Sequence, residues 1–115
     1  MKREVFIERF DNETNPLTKK EIRKILNDSI ESIRDNNPRG THIKVISMEE
    51  LAELTQAITK DMRGKLDDVN LLEEMADVYL VLQYLQNIYD ISDESLLRAA
   101  SVKAKRIQEV LDKGE

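Results

Sequence analysis

Two pairs of carboxylates stand three residues apart, Glu50 with Glu53 and Glu74 with Asp77, and a basic pair, Lys103 with Arg106, follows them. At about 100° per residue, a three-residue step in a helix keeps both side chains on one face. Glu50 projects within the apolar arc formed by Ile43, Ile46, Leu51, Leu54, Ala57, Ile58 and Met62, and Glu53 lies at its edge. Glu74 shares a column with Val81 and Ile88, and Asp77 lies one step further round. Like charges at this spacing weaken a helix, and partial burial adds a larger cost unless something compensates. An all-oxygen donor set of four carboxylates suits a hard cation, Mg²⁺ or Mn²⁺. Either pair alone would be an ordinary solvated face. Two pairs on adjacent helices, each intruding on an apolar arc, point to a metal site.

Lys103 projects inside a third apolar arc, that of Leu96, Leu97, Ala99, Ala100, Ala104, Ile107, Val110 and Leu111, with Arg106 at its border. A lysine on such an arc commonly snorkels outward. Beside a carboxylate-bound cation, both basic groups instead suit phosphate oxygens. Counted from the break at Asp90 to Ser92, Asp77 is 13 residues back and Lys103 is 11 residues on, so an antiparallel hairpin would bring them nearly level.

The elements that must position these groups are helices. The chain has 115 residues, 36% charged and 4% aromatic, with three glycines, two prolines and no cysteine or tryptophan. That composition favours long helices over a sandwich or barrel, and it excludes a disulfide scaffold and any Cys-ligated zinc site. Thr18 and Glu21 form a capping box that opens a helix to about Arg34. Asn36-Asn37-Pro38-Arg39-Gly40 interrupts, a second helix runs from about His42 to Met62, and Gly64 is placed as its C-terminal cap. Asp67 or Asp68 caps a third helix reaching about Tyr89, and Ser92 caps a fourth reaching Val110 or beyond. Residues 1–16 read as a possible arm, with Glu4 to Phe10 open to strand or helical turn. The expected fold is an all-α antiparallel bundle of four main helices in a single domain spanning 1–115.

In the third helix Leu71, Met75, Val78, Leu82, Leu85 and Tyr89 form a seam of alternating four- and three-residue steps, and further apolar residues extend round the cylinder. One small chain has too few helices to cover that surface, so a homodimer is expected, or a dimer of dimers. Tyr79, Tyr84 and Tyr89 read as packing residues. The net charge of -5 argues against a nucleic-acid or anionic-membrane partner. The longest apolar run, Val78 to Leu82, is too short to span a bilayer, and no signal peptide opens the chain, so a cytoplasmic protein is expected. Single glycines without a Gly-Lys-Ser/Thr neighbour argue against a P-loop, and His42 without an evident Ser or Cys partner argues against triad chemistry.

Glu50-Leu51-Ala52-Glu53 followed by Glu74-Met75-Ala76-Asp77 resembles the E-x-x-E and E-x-x-D signature of the MazG-type, all-α nucleoside triphosphate pyrophosphohydrolases. Ser101-Val102-Lys103-Ala104-Lys105-Arg106 is similar to that family's Asn-x-Lys-x-x-Arg, with Ser101 in place of Asn. The resemblance covers about His42 to Leu111. It implies a helical dimer or tetramer that uses Mg²⁺ to hydrolyse a nucleoside triphosphate to the monophosphate and pyrophosphate. Glu50, Glu53, Glu74 and Asp77 would hold the metal, Glu53 with Glu50 would serve the catalytic step, and Lys103 with Arg106 would bind the substrate. The alternative is a non-catalytic helical dimer of the same fold that binds a nucleotide or a protein.

Overall fold

The computed structural model describes residues 1–34 and 41–114, and among these every regular element is a helix. The order is α1 (Arg3–Asn12), α2 (Lys19–Arg34), α3 (Thr41–Met62), α4 (Asp68–Ile88) and α5 (Asp93–Asp112). The expected break at Asn36 to Gly40 lies outside the described residues.

The expected caps set the boundaries. Thr18 Oγ1 accepts from the Glu21 amide at 3.1 Å and the Glu21 carboxylate accepts from the Thr18 amide at 3.0 Å, a closed capping box. Gly64 ends α3 with φ +75°, a conformation that favours glycine. The Asp67 side chain accepts from the Asn70 amide, and Ser92 accepts from the Ser95 amide.

Within residues 1–16, α1 is a fifth helix, so of the readings open for Glu4 to Phe10 the helical one holds. Phe6 and Phe10, four residues apart, stack with centroids 6.1 Å apart, and Glu4 and Arg9 complement the helix dipole at its two ends. Arg3 pairs with Asp67 at 2.5 Å, which ties α1 to the start of α4.

The main packing is α3 against α4, laid back on each other by the short connection through Arg63 to Asp67, with α2 and then α1 also against α4. The core is small: Leu26 and Ile30 from α2, Ile43 and Ala57 from α3, and Val81 from α4. Gln83 is buried as well and accepts from Arg23 Nε at 3.0 Å, while the same guanidinium pairs with Asp93.

Met75, Leu82 and Tyr89 of the α4 seam are about half exposed, in keeping with the expectation that one chain has too few helices to cover this surface. α5 has no buried residue and packs lightly, with Leu96, Leu97 and Ala100 lining a depression beside Tyr79, Leu82 and Gln86 of α4. The turn before it contains Asp90 at φ +53°, and Arg23 and Gln86 fix Asp93 at its start. The radius of gyration is 17.2 Å, against about 13 Å for a compact domain of this length.

No helix among the described residues is long and apolar enough to cross a membrane.

Candidate metal centre

α3 carries Glu50 and Glu53 on the side that meets α4, and α4 carries Glu74 and Asp77 on the side that meets α3. The antiparallel turn brings the four level. One carboxylate oxygen from each lies within 4.8 Å of those of the other three. The pairs cross the interface, Glu50 facing Asp77 and Glu53 facing Glu74.

The electrostatics are those of acids held together at a cost. Burial, reinforced by Asp77 and Glu53, pushes the Glu50 carboxyl up to about 7. Burial, reinforced by Glu53, does the same to Glu74, also to about 7. Asp77 is raised too, chiefly by burial, although its contact with Glu50 partly opposes the rise. Glu50 Oε2 and Glu74 Oε2 are buried with no hydrogen-bond partner. No described ion pair involves any of the four acids.

An unpartnered buried carboxylate oxygen is expensive, and two that converge with two further carboxylates amount to a donor set lacking its acceptor. The donors fit a hard divalent cation: all are oxygens, and Glu53, the exposed member of the four, leaves one side open to water or ligand. A cation there would supply the missing charge and permit all four acids to ionise.

The structure therefore brings together Glu50, Glu53, Glu74 and Asp77, and it does not bring Lys103 and Arg106 to them. Those two are exposed on α5, where they border a shallow depression with Ile107, Val110 and Leu111. No described ion pair joins Lys103 to Asp77, the residue expected to stand level with it. The Arg23–Gln83–Asp93 knot was not anticipated either. Its one signal was a glutamine directly after the apolar run Val78 to Leu82. Glu49 is exposed, in keeping with its place outside the α3 apolar arc.

Comparisons of the chain with protein-family models, with curated proteins and with solved structures find no match.

Proposed function

We propose that this protein is a Mg²⁺-dependent nucleoside triphosphate pyrophosphohydrolase of MazG type, working as a homo-oligomer in nucleotide-pool maintenance. The observation that carries the reading is the convergence of Glu50, Glu53, Glu74 and Asp77, with two of their oxygens buried and unpartnered. The order of the two acidic motifs and the basic pair downstream supports it.

The reaction adds water at the α-phosphorus and breaks the bond between that phosphorus and the α,β-bridging oxygen, giving monophosphate and pyrophosphate. Mg²⁺, or Mn²⁺ in its place, would be held by the four carboxylates, neutralising the triphosphate and making water a stronger nucleophile. Glu53 is the solvent-facing member of the set, so its carboxylate is placed to accept a hydrogen bond from the attacking water and orient it. Glu50 and Glu74 are more enclosed and suit permanent ligation. Lys103 and Arg106 would hold polyphosphate oxygens once brought to the site.

The test is release of pyrophosphate from a panel of NTPs, dNTPs and modified nucleotides, including phosphoribosyl-ATP, with Mg²⁺ or Mn²⁺. Folded protein that is silent across the panel would remove the activity. The displacement of Lys103 and Arg106 from the cluster favours one second reading, a helical module that binds nucleotide without cleaving it. Thermal stabilisation by Mg²⁺ with a non-hydrolysable nucleotide, in the absence of turnover, would select it.

A further inference from the structure

The carboxylate centre holds acids in excess. Even two divalent cations would only balance Glu50, Glu53, Glu74 and Asp77. A polyphosphate arriving there needs positive side chains of the protein as well. Lys103 and Arg106 are exposed on α5 and have no described ion pair with the four acids. The cations beside the start of α4 come instead from the first residues of the chain.

Arg3 opens α1 and pairs with Asp67 at 2.5 Å. Asp67, the N-cap of α4, stands seven residues before Glu74, which is two helical turns or about 10 Å. A step of seven residues returns to nearly the same side of a helix. Arg3 is therefore docked on the side of α4 that carries Glu74. The electrostatics agree with that placement. The bond to Asp67 raises the Arg3 guanidinium, and the Glu73 carboxylate adds to the rise. Asp77, raised chiefly by burial, is drawn back in part by the positive terminal amine of Met1. The first residues thus lie beside α4 between the carboxylate centre and Asp67.

Arg3 also has donors to spare. Its described hydrogen bond engages one of the five guanidinium N–H groups, and its side chain is 49% exposed. α1 has no buried residue, so packing does not explain why its basic start is held against these acids.

We propose that Arg3 is a polyphosphate-binding residue of its own chain's site, donating its free guanidinium N–H groups to the pyrophosphate half of the substrate while Asp67 keeps it aimed. The assignment rests on the hydrolase reading of the carboxylate centre. It gives α1 a task, and it places a phosphate-binding cation in the same chain as the acids.

The probes are Mg²⁺ alone and Mg²⁺ with inorganic tripolyphosphate, read by thermal melting of the full chain. Wild-type protein should be stabilised by Mg²⁺ and further by tripolyphosphate. Arg3→Ala and Arg3→Gln should bind tripolyphosphate at least ~10-fold more weakly, the loss of a charged hydrogen bond, with half-saturation by Mg²⁺ alone unchanged. Glutamine can still donate to Asp67, so it separates the charge from the tie to α4, and Arg3→Lys should recover part of the binding. In turnover, Arg3→Gln should raise KM for the triphosphate by a similar factor with kcat little changed, and inhibition by the monophosphate product should stay as in wild type.

A wild-type protein that tripolyphosphate does not stabilise, or an Arg3→Gln variant that binds it normally, overturns the proposal. So does equal weakening of Mg²⁺ and tripolyphosphate binding, which would make Arg3 a tie for the fold alone. Pyrophosphate release with unchanged KM in Arg3→Gln removes Arg3 and leaves the hydrolase reading intact. Tripolyphosphate binding that depends on Arg3, in a protein that cleaves no nucleotide, refutes the hydrolase reading and leaves Arg3 as a polyphosphate ligand.

Discussion

Glu50 of α3 and Asp77 of α4 face each other across the helix interface, and both carboxyls are held above their ordinary range, chiefly by burial. With Glu53 and Glu74 beside them, the metal-free fold carries an electrostatic cost that a bound cation would reverse.

Charge removal should therefore separate stability from function. Glu74→Gln is expected to raise the metal-free melting temperature by about 2–5 °C, because it deletes a carboxyl whose ionisation folding disfavours. The same change should lower pyrophosphate release by at least ~100-fold, as should Asp77→Asn. Differential scanning fluorimetry and a pyrophosphate assay on the two variants measure both. A variant with full turnover would remove that residue from the metal set.

The pH dependence follows from the same groups. Glu50 and Glu74 stand at about 7 in the folded chain against 4.5 for an ordinary glutamate. Between those values the folded state binds more protons than the unfolded one, so metal-free stability should fall as pH rises from about 5 to 8. Mg²⁺ requires the deprotonated acids, so the stabilisation it confers should grow over the same interval. Melting curves with EDTA and with Mg²⁺ should diverge as pH rises, and the metal-free slope should flatten in a Glu50→Gln, Glu74→Gln double variant.

Arg23 serves two helices at once, bonding to the buried Gln83 amide oxygen of α4 and pairing with Asp93 at the start of α5. Arg23→Ala would leave the Gln83 oxygen buried without that donor, at a cost of about 1–3 kcal/mol. Asp93→Asn leaves the Arg23 bond to Gln83 available and should cost less. Urea denaturation of the two variants distinguishes them, and equal losses would mean that the α5 tie, and not the buried amide, dominates.

Asp67 has two roles, capping α4 through the Asn70 amide and pairing with Arg3 of α1. Asp67→Ala should lower the melting temperature more than Arg3→Ala, since it removes both. Asp67→Asn keeps a capping oxygen and should track Arg3→Ala. If all three variants melt alike, α1 is held by something other than this pair.

Local chemistry was legible without coordinates. Thr18 with Glu21, Gly64, Asp67 and Ser92 mark helix ends because a cap depends on residues within three or four positions of one another. The four acids were legible for a related reason: helical period placed each pair on a face, and a short connection allowed only one way for the faces to meet. α1 was not, since Phe6 and Phe10 offer too few apolar positions to distinguish a short helix from an arm. The path of α5 was also hidden. Its caps and apolar row are local properties, but whether a helix folds back on its predecessor depends on the turn at Asp90, on the Arg23 tie across 70 positions and on how much surface remains to be covered. Those quantities depend on contacts between residues distant in the chain, and a reading by periodicity has no access to them.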